Sequence, residues 1–371
     1  MQTKVYFASN RDIKYETSKN SDNFGERFNA MGPQFFRVGR ANVTLKDGAD
    51  PRDEDNWDLG RTTLYDESQK TEDRQQGLGS ARMFDDLRRM LKDDERDILV
   101  YIHGFASTFK TAATRAAQLR SIYGEPGREP VTFFFSWPAN GRTWPSANYF
   151  SDREDAEMSG IAMARALQRL IEFLRDLRTK DRRTRTRMLQ EADFEGAEKL
   201  VECQSRMHLV AHSMGNYALR QAVQKLKEFE NGQNLPRVFD HAFLMAADAD
   251  ADALGKQFKL APLLELAAEV HVYHARNDRA LQISDATKGN AARLGAEGPT
   301  GLELLDPRIY TIDCQDVSGT TVRDGRHQYY RLRHEVIEDV RQTLEGVPGN
   351  SASRNSRVET RPGRSWRLQE A

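Results

Sequence analysis

The stretch L-V-A-H-S-M-G-N-Y at residues 209–217 decides the fold. It consists of an apolar run, then Ser213 with a small residue two positions away on each side, then a segment that favours a helix. This pattern is typical of a nucleophile elbow, a sharp strand-to-helix turn that lifts a serine hydroxyl out of the end of a sheet. Larger side chains at Ala211 or Gly215 would collide with backbone where the strand and the helix approach each other. Ser213 is therefore the first candidate nucleophile.

Short apolar runs rich in Val, Ile, Phe and Tyr recur on both sides of this turn. Because their hydrophobicity is continuous rather than alternating, it predicts strands covered on both faces, as in a parallel sheet. The runs occupy residues 98–102, 131–135, 207–212, 239–246, 269–274 and 308–312. Segments with helical spacing occupy residues 111–123, 154–177, 216–229 and 333–344. The alternation predicts an α/β fold with right-handed βαβ units, a mostly parallel central sheet and helices on both faces.

The chain of 371 residues is long enough for one large domain, which we place at residues 1–346. Its amino-terminal part, residues 1–95, is expected to complete the edge of the sheet with strands at 5–8 and 36–45 and a helix at 80–92. Residues 347–371 are rich in Ser, Asn, Arg, Pro and Gly. We predict that this tail is disordered.

Composition excludes several classes of protein. Basic and acidic residues nearly cancel, leaving a net charge of −1, so no global field selects nucleic acid or an anionic membrane. Cys203 and Cys314 are far apart and have no metal-ligand spacing, which favours reduced structural thiols over a disulfide framework. No apolar stretch approaches membrane-spanning length, so we expect a cytoplasmic protein without stable membrane insertion. The basic run at residues 178–187 fits a solvated helix end, with phosphate binding as its alternative.

A serine is a poor nucleophile at neutral pH unless a histidine accepts its proton and a carboxylate orients that histidine. In an elbow fold the acid and then the histidine follow the serine along the chain, on loops at the carboxyl ends of later strands. Asp278 lies in the loop after the strand at 269–274 and is the favoured acid. Asp248 and Asp250, after the preceding strand, remain its competitors.

The favoured base is His327, which lies in the Gly-containing loop D-G-R-H-Q-Y-Y before the last helix. Loop placement suits a side chain that must reach Ser213, whereas His334 falls inside the helical segment. His208, His241 and His271 lie in strands, and the side chain of His212 is expected to point away from the nucleophile. His208 and His212 are four residues apart, but on a strand this spacing does not form a helical metal pair, so no metal is predicted. Serine-based hydrolysis requires no cofactor, and none is predicted.

Two backbone N–H groups are needed to stabilise the oxyanion of the tetrahedral intermediate. Met214, directly after the nucleophile, should supply one of them. The other should come from Phe105 in the H-G-F-A sequence after the strand at 98–102, where Gly104 permits a tight turn. Aromatic residues that follow the strand at 131–135, Phe150 among them, either cover the sheet or line the substrate pocket. The pocket candidates are His103, Gly104, Trp137, Trp144 and Tyr149.

Eight motifs are spread along the chain: V-Y-F-A-S-N-R, V-Y-I-H-G-F, F-S-W-P-A-N-G, Y-F-S-D, H-L-V-A-H-S-M-G-N, L-M-A-A-D-A-D, N-D-R-A-L and H-Q-Y-Y. Together they resemble the α/β-hydrolase superfamily, and more narrowly a mostly bacterial, largely uncharacterised branch known as a domain of unknown function. The resemblance implies an esterase-like or lipase-like serine hydrolase that cleaves a small-molecule or lipid-like acyl ester. The chain departs from the general pattern of the superfamily at Ala211, where glycine is commonest. Alanine is small enough to allow the same close approach of strand and helix.

Three alternatives remain open. The chain could keep the fold without turnover, as an interaction protein. It could bind nucleic acid or anionic lipid through residues 178–187. It could also use the same catalytic residues as an acyltransferase or a thioesterase.

Overall fold

The computed structural model describes residues 1–14, 23–65, 79–93, 96–143, 147–191, 194, 205–281, 292–319 and 326–370. Within them thirteen strands are present: β1 (Gln2–Ser9), β2 (Arg11–Ile13), β3 (Phe24–Phe28), β4 (Arg37–Leu45), β5 (Trp57–Tyr65), β6 (Ile98–Ile102), β7 (Val131–Ser136), β8 (Met207–His212), β9 (Phe239–Met245), β10 (Ala267–His274), β11 (Ile309–Asp313), β12 (Arg357–Arg361) and β13 (Ser365–Leu368).

The helices in the described ranges are α1 (Gly79–Asp93), α2 (Phe109–Tyr123), α3 (Ala147–Met158), α4 (Gly160–Gln190), α5 (Gly215–Phe229), α6 (Leu263–Leu266), α7 (Leu294–Glu297), α8 (Tyr329–Leu332) and α9 (His334–Leu344). Short 3-10 turns occupy Glu54–Asn56, Ala253–Gly255 and Leu302–Leu304. No described helix is both long enough and apolar enough to cross a lipid bilayer.

One large sheet organises the molecule. Its strand order is β12-β13-β11-β10-β9-β8-β6-β7-β1-β4-β5, and a separate small sheet pairs β2 with β3. The strands from β13 to β1 in this order are parallel to one another, whereas β4, β5 and β12 are antiparallel to their neighbours. The carboxyl ends of the parallel strands therefore meet at one edge, where loops can assemble a site.

Helices cover the sheet on both faces, which explains why its central strands are apolar along their whole length. Successive side chains of a strand point to opposite faces. In β8, Leu209 and Ala211 pack into the core that contains residues of α1, α4 and α5. Val210, between them, packs into the core with residues of α2 and α9.

The predicted α/β architecture is confirmed, and the predicted parallel strands match β6 to β11 with shifts of at most two residues at their ends. The strands predicted at 5–8 and 36–45 are present as β1 and β4, and they do extend one edge of the sheet. The predicted helix at 154–177 is instead two helices, α3 and the 31-residue α4. The basic run lies in the carboxyl-terminal half of α4, where most described side chains are exposed.

The prediction of a disordered tail was wrong. Residues 357–368 form the hairpin β12–β13, and β13 adds to the sheet beside β11. The physical reason is a buried charge cluster: Asp339 of α9, only 3% exposed, accepts hydrogen bonds from the guanidinium groups of Arg354 and Arg357. In addition, the apolar side chains of Trp366 and Leu368, both in β13, are buried.

Candidate active site

The turn after β8 has the geometry of a nucleophile elbow. Ser213 has a φ of 52°, a left-handed conformation that is uncommon for a residue with a side chain and that persists only where surrounding contacts enforce it. Two backbone hydrogen bonds enforce it here: Ser213 N–H donates to the carbonyl of Met245 at the end of β9, and the Ser213 carbonyl accepts from the N–H of Asp248. α5 begins two residues later, at Gly215.

Gly215 allows α5 to start against the end of the neighbouring strand. A Cβ atom at this position would lie 2.6 Å from the carbonyl oxygens of both Ile102 and His103. These are backbone atoms, so they have little freedom to move aside. Only glycine fits here, as the sequence pattern around Ser213 predicts.

His327 and Asp278 meet at the same edge of the sheet. Nδ1 of His327 lies 2.6 Å from Oδ2 of Asp278, and the carboxyl group is completely buried. The second oxygen of Asp278 accepts hydrogen bonds from the N–H groups of Ala280 and Leu281, which fixes the carboxylate. With Nδ1–H held in this way, Nε2 is the ring nitrogen left to exchange a proton.

The competing acids are engaged elsewhere. Asp248 accepts a 2.5 Å hydrogen bond from the hydroxyl of Tyr149 and lies 3.8 Å from the guanidinium of Arg293. Asp250 forms ion pairs with Lys259 and Arg293. The carboxylate that the structure places against His327 is that of Asp278.

His212 has a role that the sequence did not indicate. The sequence indicated only a side chain directed away from the nucleophile; in the structure its Nε2–H donates to the carbonyl of His327 at 3.1 Å, with the two ring centroids 4.6 Å apart. Its other face stacks on Tyr330 at 4.4 Å. Burial, and then the neighbouring His327, hold the pKa of His212 well below its ordinary value, so its ring stays neutral. The residue before the nucleophile therefore holds the loop that carries the histidine.

The loop after β6 lies directly against the nucleophile. A Cβ atom on Gly104 would come within 2.8 Å of the Ser213 Cβ and 3.0 Å of the His212 carbonyl, so no side chain fits between them. In the part of the chain that the structure describes, the N–H groups of Phe105 and Met214 donate no hydrogen bond to a protein acceptor. Two unused donors beside a serine are what oxyanion stabilisation requires.

A buried carboxylate fixes this loop. Asp152 of α3 accepts the N–H of Ala106 with one oxygen and the N–H of Asn140 with the other, each at 3.1 Å. Ala106 has a φ of 52°, so the turn is strained and needs such support. Burial raises the pKa of Asp152 to about 6, although both hydrogen bonds oppose the shift. Asp152 is the last residue of the Y-F-S-D motif, to which the sequence alone assigns no function.

Two of the predicted pocket residues need a correction. His103 and Trp137 are both 0% exposed, their rings stack 4.9 Å apart, and the Trp137 indole N–H donates to the His103 carbonyl. Burial lowers the pKa of His103 to about 3, and its Nδ1–H donates to the Gly104 carbonyl. Both rings are buried and hydrogen-bond to the backbone of the loop, so they do not line an open pocket. Trp144 lies outside the described residues.

Tyr149 remains a pocket candidate. Its ring contacts that of Phe105 edge-on, with centroids 5.6 Å apart, and its hydroxyl donates a hydrogen bond to Asp248, three residues beyond the end of β9. Phe150, next to it, is 46% exposed. An aromatic surface therefore lies beside the candidate oxyanion donor.

The family described as alpha/beta hydrolase of unknown function (DUF900) matches residues 81–182 and 196–346, which is more than half of the chain. The chain belongs to this family. The DUF900 match includes β6, the elbow, Asp278 and His327, whereas β1 to β5 and the hairpin β12–β13 lie outside it. Searches of curated proteins and of solved structures give no match.

Proposed function

We propose that this DUF900 protein is a serine hydrolase that cleaves carboxylic esters, with Ser213 as nucleophile, His327 as general base and acid, and Asp278 as the carboxylate that orients His327. The observation that carries the proposal is the buried hydrogen bond between His327 and Asp278, on loops that meet the edge occupied by Ser213. A structural cluster would not need a strained serine beside two N–H groups that, among the described residues, donate to no protein acceptor.

The steps follow from the roles of these groups. Nε2 of His327 takes the proton of the Ser213 hydroxyl as its oxygen attacks the ester carbonyl, and the N–H groups of Phe105 and Met214 stabilise the oxyanion. The alcohol leaves with the proton from His327. Water, activated by the same histidine, then attacks the acyl-enzyme and releases the acid. Asp278 stabilises the imidazolium in both halves of the reaction.

The substrate we propose is a small-molecule or lipid-like acyl ester, with Tyr149 and Phe105 against its acyl group. The proposed location is the cytoplasm, and the chemistry requires no cofactor. Hydrolysis of p-nitrophenyl esters over a series of acyl lengths tests the activity. We expect turnover by the wild-type chain and its loss in Ser213→Ala and His327→Ala. A chain that cleaves none of these esters, and no thioester, would support the inactive interaction protein instead, and transfer to an added alcohol would indicate an acyltransferase.

A further inference from the structure

A second cluster of chemically active side chains lies near the opposite ends of the strands. His241 of β9 pairs in register with Glu269 of β10, and His271 follows two residues later on the same face of β10. His241 pairs in register with His208 of the neighbouring strand β8. Along β8, His208 precedes Ser213 by five residues, which corresponds to about 16 Å. The cluster is therefore separate from the candidate active site.

The three side chains bring one ligand atom each to a common point. Nδ1 of His241 lies 3.1 Å from Nε2 of His271, and Oε2 of Glu269 lies 3.2 Å from the first atom and 3.3 Å from the second. Zinc bonds to nitrogen and carboxylate oxygen of about 2.0–2.2 Å, at tetrahedral angles, place neighbouring ligands about 3.3–3.5 Å apart. The observed triangle is close to one face of such a tetrahedron.

Protons alone do not satisfy these three contacts at once. A neutral imidazole nitrogen either carries a hydrogen or offers a lone pair. If both nitrogens carry hydrogens, two donors face each other at 3.1 Å; if one does not, its lone pair faces the Glu269 carboxylate. A cation at the centre accepts all three lone pairs together. The geometry fits a metal ion better than it fits a hydrogen-bonded triad.

We propose that His241, Glu269 and His271 form a binding site for a divalent zinc-like ion that joins β9 to β10. Two histidines and one carboxylate are a ligand set that zinc uses, with the fourth position left for water. The His241 and His271 side chains are 14% and 6% exposed, whereas that of Glu269 is 37% exposed, so an ion can enter past the carboxylate. His271 is held between the rings of Phe243 and Tyr310, which fixes its orientation.

A neighbouring histidine provides a matched control. His208 stacks on His241 with ring centroids 5.3 Å apart, but its Nε2 faces Asp97, which also pairs with Arg206. His208 is paired in register with His241, but it contributes no ligand atom to the group formed by His241, Glu269 and His271. The sequence prediction of no metal considered spacing along the chain, and the cluster arises only from the register between two strands.

Metal titration of the full chain, purified without a histidine tag and stripped with a chelator, tests the site. We expect one Co²⁺ per chain with the intense visible absorption of tetrahedral cobalt, displaced by Zn²⁺ at micromolar concentrations. Glu269→Gln and His241→Asn should weaken binding by more than about tenfold, whereas His208→Asn and Ser213→Ala should bind as the wild type does. Ser213→Ala removes the proposed nucleophile but none of the proposed metal ligands. Metal binding can therefore be confirmed or refuted even if the chain hydrolyses no ester.

A second readout covers variants that fold poorly. Zn²⁺ should raise the thermal midpoint of the wild-type chain in a concentration-dependent way, and Mg²⁺ should not, because binding to the folded state alone stabilises it. Absence of stoichiometric binding by the wild-type chain would overturn the proposal. So would wild-type affinity in folded Glu269→Gln and His241→Asn, or an equal loss of binding in His208→Asn.

Discussion

Nδ1 of His327 lies 2.6 Å from the buried Oδ2 of Asp278, although the two residues are 49 positions apart in the chain. This contact distinguishes Asp278 from Asp248, one of its two competitors, whose carboxylate accepts a hydrogen bond from Tyr149. Asp278→Asn should lower kcat for a p-nitrophenyl ester by about 10³- to 10⁴-fold, because the histidine loses its correct tautomer and the charge that stabilises the imidazolium. Asp248→Asn, equally conservative and equally buried, should change kcat by less than about tenfold. The reverse order of effects would make Asp248 the acid.

His212 should act by positioning His327. His212→Gln retains an N–H donor at the place of Nε2, whereas His212→Phe retains the ring against Tyr330 without that donor. We expect His212→Phe to lower kcat by about 10- to 100-fold with KM nearly unchanged, and His212→Gln to restore most of the loss. Steady-state kinetics on one ester measure both constants. Equal losses in the two variants would assign His212 to packing alone.

The pKa of Asp152 predicts a dependence of stability on pH. Its pKa is raised from 3.8 to about 6, so folding takes up a proton between these values; the stability it contributes is complete below pH 3.8 and is lost as the pH rises through about 6. Asp152→Asn has no such titration. The difference in unfolding free energy between wild type and Asp152→Asn should therefore fall by an amount on the order of 3 kcal/mol from about pH 4 to pH 7. Urea unfolding across this range measures it, and a flat difference would contradict the burial of an ionisable group there.

The carboxyl-terminal hairpin should be required for stability. Arg354 and Arg357 pair with buried Asp339, and despite burial these two cations hold the pKa of Asp339 below its ordinary value. Deleting residues 347–371 removes both cationic partners of Asp339 and the buried side chains of Trp366 and Leu368, and should lower the free energy of unfolding by about 3–5 kcal/mol. Deleting only residues 370–371 is the control and should change little. Equal urea midpoints for the two deletions would show that the hairpin contributes nothing.

The sequence predicted those parts of the fold that depend on local pattern. The central strands are apolar throughout because both faces are covered, and the elbow needs small residues at fixed positions. β5 was missed because, as an antiparallel strand at the edge, it alternates buried and exposed residues and carries polar side chains. The hairpin β12–β13 was missed because its order depends on ion pairs with Asp339, although the P-G turn at Pro362 was a signal.

Contacts between distant segments explain what else the sequence could not indicate. The direction of the His212 ring depends on the approach of the loop that carries His327. The cluster of His241, Glu269 and His271 depends on the register of β9 against β10. The roles of Ser213 and His327 in catalysis stay predictions.

The most direct test of the account is covalent labelling by a fluorophosphonate, followed by mass analysis of the modified peptide. The account predicts one label per chain, on Ser213, formed by the wild type, abolished in Ser213→Ala and strongly slowed in His327→Ala. A wild-type chain that is folded yet takes no label, or that takes it on another serine at the same rate in Ser213→Ala, would contradict the assignment of Ser213 as an activated nucleophile.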